Sequence, residues 1–370
     1  MTSAARAAVW SEDAPVDLEA ALARGELPDA APFLVRTSGS TGAATALIRT
    51  RESWQRCFEA EAALLGLTSG DRFLALGRPA FSLTPYVALR AAHLGACFGG
   101  LDTVRPGAAR AALRDLVPTV VYGVPPLVLA LARASGGLGR ESVRLVVTGG
   151  ARLTPGQAAA IRAAWPGARL VTFYGAAETS FIAMNTAPDP EDPEDVGPLF
   201  PGVAGARDAE GRLRVRTPYA ASWRLDADGG RVPVADSDGW VTLADRGTVD
   251  AAGRVSLQDR ADACLNLGGA LVDPAPLERA LERLPWVAEA VLLARPDAAR
   301  SDSAVAVVVP LDRAPAGALF QLRAALPGEG PPVRGWAVLC EAPPRTAGGK
   351  PDRAALGRAL AAGTLTLEPL

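Results

Sequence analysis

Residues Thr119–Thr179 read TVVYGVPPLVLALARASGGLGRESVRLVVTGGARLTPGQAAAIRAAWPGARLVTFYGAAET. A β-branched run, Thr119–Tyr122, leads into apolar residues at helical spacing over Val124–Ala134. Val143–Thr148 is a second β-branched run, Thr154–Trp165 a second helix, and Leu170–Phe173 a third strand. Strands separated by helices pair in parallel, because a parallel crossover needs a dozen or more residues and usually takes a helix. Working outward, Phe33–Arg36 and Arg72–Leu76 add strands. Arg51–Leu65 and Thr84–Leu94 add helices, the second with Pro85 in its first turn. The pattern predicts an α/β fold built on a doubly wound sheet that takes ligands at the carboxyl ends of its strands.

Composition shifts at Thr186–Pro201, where the acidic, proline-rich stretch Asp189–Asp195 predicts an exposed loop. Residues 203–258 read as short antiparallel strands, with turns at Glu210-Gly211, Asp228-Gly229-Gly230 and Ala252-Gly253. A smaller α+β unit follows Arg260. It has helices over Pro274–Leu284 and Gly317–Ala325, strands over Val287–Ala294, Ala304–Val309 and Gly335–Leu339, and a last helix opened by Asp352. The expected organisation is a larger unit over 1–261, comprising the sheet and a β-rich subdomain, and a small α+β unit over 262–370.

Composition narrows the function classes. Apolar residues make up 49% of the 370, and the net charge is −2. No basic stripe argues for nucleic acid, and no run reaches the roughly 18 apolar residues of a membrane helix. Cys57, Cys97, Cys264 and Cys340 are scattered without a Cys-x-x-Cys pair, which predicts neither a disulfide framework nor a zinc site and sets a reduced, cytoplasmic location as the expectation. His93 is the sole histidine and lies in an apolar helix, where a structural role is expected. Lys350 is the only lysine among 38 basic residues. An ammonium is a compact point charge on a flexible stem, so a site needing one charge in a tight space can require it where arginine is otherwise used.

Four stretches carry candidate chemistry. Thr37-Ser38-Gly39-Ser40-Thr41-Gly42 follows a strand directly and reads either as a phosphate cradle, with glycines letting backbone N–H groups converge on an anion, or as a polar loop. It is not the nucleotide P-loop ending in Gly-Lys-Ser/Thr, because Ala43, Ala44 and Thr45 follow. Phe173-Tyr174-Gly175-Ala176-Ala177-Glu178-Thr179 offers a flat ring and a hard oxygen ligand for Mg2+, or an ordinary turn with a capping glutamate. Asp245 can accept from both hydroxyls of a ribose, or simply close a turn. Lys350 lies between Gly348-Gly349 and Pro351, an exposed setting that a structural salt bridge does not need.

Together, in this order, these stretches resemble the adenylate-forming superfamily of acyl-CoA synthetases, luciferases and adenylation domains. The resemblance runs over about residues 33–360. It implies that Thr37–Gly42 is the phosphate loop and that Tyr174–Glu178 is the family's Tyr-Gly-x-Thr-Glu motif. Gly149, Gly150 and Ala151 would form the adenine-side loop. Asp245 and Arg260 would be the ribose aspartate and its neighbouring arginine, Asp262 the hinge of a mobile C-terminal lid, and Lys350 the catalytic lysine. Gly268–Glu278 follows the family's post-hinge pattern. The implied reaction is ATP- and Mg2+-dependent activation of a small-molecule carboxylic acid to an acyl-adenylate, with transfer to a thiol acceptor, coenzyme A.

Three departures stand out. Ala44-Thr45 replaces the family's Pro-Lys, Ala177 replaces its threonine, and 36 residues precede the phosphate loop, where relatives usually have a further subdomain. A short form of this kind predicts an uncovered apolar face near Trp54, Phe58 and Val16–Leu27, closed either by a homodimer or by that segment folding back as a helix. No carboxylate lies between Asp71 and Asp102, so a free amino acid is not the expected substrate. Phe81, Leu83 and Tyr86 suggest an apolar acyl or aryl pocket. A fatty acid is the first expectation, an aryl acid such as o-succinylbenzoate the next, and an impaired protein that only binds nucleotide or acyl-adenylate the alternative.

Overall fold

Consecutive residues of the central strands feed two different cores. In the computed structural model, which describes residues 16–17, 20, 32–36, 46–192, 194–226, 228–258, 265–267, 270–295, 303–326, 333–340, 342–346 and 351–368, the first elements are β1 (Val16–Asp17), β2 (Phe33–Arg36), β3 (Ala46–Arg49), α1 (Arg51–Leu65), β4 (Arg72–Leu76), α2 (Leu83–Leu94), β5 (Cys97–Leu101), α3 (Pro106–Asp115), β6 (Val120–Gly123), α4 (Pro125–Ser135), β7 (Leu145–Gly149), α5 (Pro155–Ala164), β8 (Arg169–Ala176) and β9 (Ser180–Asn185). They build a six-stranded sheet in the order β5-β4-β6-β7-β8-β9, parallel except for β9. Phe73, Ala75, Val120, Tyr122, Leu145 and Val147 face α1 and α2. Leu74, Leu76, Val121 and Val146 face α3, α4 and α5. Such a sheet is buried on both sides, which is why its strands read as unbroken apolar runs.

Local signals set the helix ends. Thr154 and Gln157 form a reciprocal capping box, with Pro155 at the first position of α5. Gly66 and Gly95, both in the left-handed region, close α1 and α2.

The next elements are β10 (Asp195–Pro198), β11 (Ala204–Arg207), β12 (Arg212–Arg216), β13 (Trp223–Leu225), β14 (Arg231–Pro233), β15 (Val241–Val249) and β16 (Arg254–Gln258). Five of them form an antiparallel sheet, β10-β16-β15-β12-β11. The β13–β14 hairpin leaves this group and pairs with β3, in a separate sheet ordered β1-β2-β3-β13-β14. The last elements are β17 (Leu265–Leu267), β18 (Ala270–Val272), α6 (Ala275–Glu282), β19 (Val287–Arg295), β20 (Ser303–Pro310), α7 (Ala318–Ala325), β21 (Val333–Leu339), α8 (Arg353–Ala361) and β22 (Leu367–Glu368). The sheet β19-β20-β21-β22 carries a core on each face. It meets the parallel sheet's layer where the Thr154 hydroxyl donates to the Ala288 carbonyl at 3.1 Å.

Several expectations need correction. The helix α3 and the strands β5 and β9 are absent from the sequence reading. β5 is short and glycine-rich, and β9 follows β8 so closely that the two read as one segment. Trp54 and Phe58 are not on an open face. Each is 2% exposed, packed among Phe33, Tyr86 and His93, so the apolar surface expected there for a dimer is internal. Val16–Asp17 is a strand parallel to Phe33–Leu34 rather than part of a helix, and Ala20 is helical. The other residues of Val16–Leu27 lie outside the described residues.

One polar cluster sits inside the α1–α2 core. Arg90 and Glu61 are fully buried, and Glu61 accepts from Arg90, from the Tyr122 hydroxyl at 2.7 Å and from the Tyr86 hydroxyl at 3.0 Å. The Arg90 guanidinium lies over the rings of Tyr122 and Phe73, 4.3 and 4.4 Å from their centroids. Burial pushes both tyrosine hydroxyls well above their usual range.

Candidate active site

Pairing register brings the carboxyl ends of three strands together. Gly123 on β6 lies opposite Thr148, and Gly149 on β7 opposite Phe173 of β8. At Gly149 an added Cβ would come within 2.3 Å of the Phe173 carbonyl oxygen, so glycine alone permits this approach. Gly150, with φ +74°, then turns the chain away from the sheet, and Ala151 follows half-buried.

Beyond Phe173, β8 continues through Tyr174 and Gly175 and turns back into β9. Gly175 has no room for a side chain, since its Cβ would meet the Ser180 carbonyl oxygen at 2.2 Å. The Tyr174 hydroxyl donates to Asp245 Oδ2 at 2.8 Å. Two residues read separately in the sequence are thereby joined, and the parallel sheet is tied to β15. Glu178 sits half-buried in the turn between β8 and β9. Its backbone carbonyl accepts from the Ala221 amide at 2.7 Å, and the Thr179 amide donates to the Ala176 carbonyl at 3.1 Å.

The sequence reading missed Arg49. It is 0% exposed and donates from Nη2 and Nε to the Ala177 carbonyl, at 2.7 and 3.2 Å, and from Nη1 to the Tyr219 carbonyl at 2.7 Å. Burial lowers its guanidinium to about 10. An available signal was the arginine closing an otherwise apolar strand, Ala46–Arg49, just after the hydroxyl-rich loop.

Phe81 forms an isolated parallel bridge with Arg36, the last described residue before position 37. Phe81 and Leu83 are half-buried, at the start of α2. Tyr86 departs from the pocket reading: it is a core residue whose hydroxyl serves Glu61. At the far end of the chain Arg345 bridges to Pro351, and the Asp352 amide donates to the Pro344 carbonyl at 2.9 Å. Arg345 pairs with Glu289 and Arg353 with Glu278, both at 2.7 Å. The base of the lysine-bearing segment is thus pinned to α6 and β19. Thr37, Ser38, Gly39, Ser40, Thr41, Gly42, Arg260, Asp262 and Lys350 lie outside the described residues.

The profile of the AMP-binding enzyme family matches residues 4–213. The chain belongs to this family of the adenylate-forming superfamily. Among its relatives is an uncharacterized acyl-CoA ligase, YhfT, of Bacillus subtilis (strain 168), 30% identical over 284 residues that cover 74% of this chain and 57% of that one. The chain therefore spans little more than half the length of that relative. Among solved structures, the amide bond synthetase McbA from Marinactinospora thermotolerans is 26% identical with a TM-score of 0.70, over 88% of this chain and 69% of that one. The anthranilate CoA ligase AuaEII in complex with anthranoyl-AMP has a TM-score of 0.73 at 22% identity, over 90% of this chain and 68% of that one. The second likeness shows the fold alone. Gly149, Tyr174 and Glu178 lie at or just beyond the carboxyl ends of β7 and β8, where doubly wound sheets take ligands, and Asp245, midway along β15, is joined to Tyr174 by their hydrogen bond.

Proposed function

We propose that the chain activates a carboxylic acid with ATP, releasing pyrophosphate and forming an acyl-adenylate, and then passes the acyl group to a thiol, coenzyme A. The observation that carries this reading is the Tyr174–Asp245 hydrogen bond beside Glu178, in a chain whose family binds AMP. Asp245 would accept from the ribose hydroxyls while Tyr174 holds it from the core side. The loop opened by Gly149 and Gly150, through Ala151, would border the base. Thr37–Gly42 would receive the β- and γ-phosphates, with Arg260 beside the ribose.

Mg2+ suits the donor set. It typically binds through one or two carboxylates plus substrate phosphates, keeping several waters. Glu178 supplies one half-buried carboxylate, and among the described residues no group of three or more His, Cys, Asp or Glu residues forms a denser cage. Bound there, the ion would offset phosphate charge. Lys350 would bring its ammonium to the reacting carboxylate and the α-phosphate, stabilising charge that grows in the transition state. The two units, 1–261 and 262–370, would move about Asp262, so that Lys350 leaves before the thiol enters.

Phe81 and Leu83 point to an apolar acid, a fatty acid first and an aryl acid second. Among the described residues no helix is long and apolar enough to cross a membrane. The test is pyrophosphate release and acyl-CoA formation with a panel of fatty and aryl acids. Absence of pyrophosphate with every acid, while the chain still binds ATP, would leave a nucleotide-binding protein instead.

A further inference from the structure

We propose that Arg49 is a positioning residue that aims the Glu178 carboxylate at the divalent cation, acting through the backbone on both sides of Glu178. The proposal rests on the nucleotide-activation reading above and adds to it a residue that touches neither nucleotide nor acid.

The buried charge itself needs a reason. A guanidinium taken wholly out of water is costly unless a carboxylate or a full set of acceptors repays it. Arg90, in the same core, is repaid by Glu61. Arg49 has no carboxylate within salt-bridge distance among the described residues. Its donors go to two backbone carbonyls, Ala177 and Tyr219, and to the Ser53 hydroxyl at 3.3 Å. Its guanidinium lies 5.4 Å from the centroid of the Trp54 ring. An apolar side chain could fill that volume but could not donate to the Ala177 and Tyr219 carbonyls, so what the arginine specifically supplies is the hold on those two carbonyls.

What the guanidinium holds is informative. The Ala177 carbonyl belongs to the peptide plane that enters Glu178. The Glu178 carbonyl belongs to the plane that leaves it, and that one is held by the Ala221 amide. Arg49 grips Ala177 on one side and Tyr219, two residues before Ala221, on the other. The same turn is braced once more, by Trp54 Nε1 donating to Ser180 Oγ and Ser180 Oγ donating to the Tyr219 carbonyl, both at 3.2 Å. Ser180 is held at φ 61°, a conformation a non-glycine residue adopts only under constraint. With both flanking planes fixed, the direction in which the Glu178 side chain leaves the backbone is fixed as well. The planar fork of arginine spans two carbonyls at once, which a lysine ammonium on a single point cannot do.

The test measures metal binding directly. Mn2+ is titrated against the full chain in the presence of ATP and followed by electron paramagnetic resonance, for wild type, R49K, E178Q and the double variant, with urea unfolding alongside. Loss of an outer partner of a metal ligand typically weakens metal affinity about 10–100-fold. R49K is expected to fall in that range while ATP binding without metal changes less than about threefold, and to have no further effect in the E178Q background, because both act through one carboxylate. Trp54→Phe keeps an aromatic side chain, though a smaller one, but removes the bond to Ser180, and is expected to weaken Mn2+ by about threefold; it serves if R49K does not fold. A folded R49K with wild-type Mn2+ affinity, an effect fully additive with E178Q, or unchanged affinity in Trp54→Phe when R49K cannot be measured, would overturn the proposal and leave Arg49 a core residue. A wild-type chain that binds no Mn2+ with ATP would overturn the activation reading and this proposal together.

Discussion

Tyr174 and Asp245, 71 residues apart in the chain, meet at 2.8 Å and tie the parallel sheet to the antiparallel one. Tyr174 is nearly buried and its ring packs in the antiparallel sheet's core, so the bond holds the carboxylate against a rigid wall. Tyr174→Phe keeps the ring and removes the hydrogen bond. We expect a stability loss of about 1 kcal/mol and a rise of about 3- to 10-fold in the KM for ATP, the size of one modest hydrogen bond, with the KM for the acid unchanged. Initial-rate kinetics with each substrate varied separately reads the difference.

Lys350→Ala should separate the two half-reactions. Removing a charge that stabilises a transition state costs about 100- to 1000-fold, so acid-dependent pyrophosphate release is expected to fall by that factor. Acyl transfer to coenzyme A from a supplied acyl-adenylate should stay within about threefold of wild type, since the role proposed for the ammonium is confined to the first step. Equal loss of both would rule out the two-conformation scheme.

The Arg90–Glu61 pair should behave asymmetrically. Removing one partner leaves a buried charge uncompensated, so Arg90→Met is expected to cost about 3–5 kcal/mol. The double variant Arg90→Met/Glu61→Leu should recover most of that loss. Urea unfolding of the two single variants and the double variant closes the cycle. Equal destabilisation of the double and single variants would show that packing on Phe73 and Tyr122, rather than charge, is what the site supplies.

Glu282 gives the stability a pH dependence. Burial is the main cause that lifts its carboxyl to about 8 from an ordinary 4.5, with Arg152 opposing and Glu278 adding to the rise. Between those two values the folded chain holds a proton that the unfolded chain has released, so this contribution is complete below pH 4.5 and is lost as pH rises through about 8. Each unit is worth about 1.4 kcal/mol, so the loss amounts to a few kcal/mol. Glu282→Gln carries no titrating proton and should flatten the urea midpoint between pH 5 and pH 9. The Arg152–Glu282 contact at 3.6 Å joins the loop after β7 to α6, so the same variant reports whether that junction follows the charge.

Much of the parallel sheet was legible because its signals are local. Thr154, Pro155 and Gln157 announce the start of α5 within four residues, and the runs at β6 and β7 are apolar throughout because both faces are covered. The β13–β14 hairpin was legible as a hairpin, but its partner β3 was not, since nothing in residues 223–233 encodes a pairing with Ala46–Arg49. Trp54 and Phe58 were misplaced for a related reason. An amphipathic helix announces that one face is covered, without saying by what; here Phe33 and Tyr86 do the covering.

The sequence by itself determined most of the helices and strands of the parallel sheet and the order of the candidate motifs, because helical period, β-branched runs and capping residues depend on neighbours in the chain; α3, β5 and β9 escaped it. Tertiary structure alone decided that Tyr174 meets Asp245, that Tyr86 serves Glu61 rather than a pocket, and that Arg49 lies beneath Ala177. Those contacts span 71, 25 and 128 residues. A hydrogen bond at such separation is set by how sheets and helices pack, which depends on the whole core and not on any window of sequence.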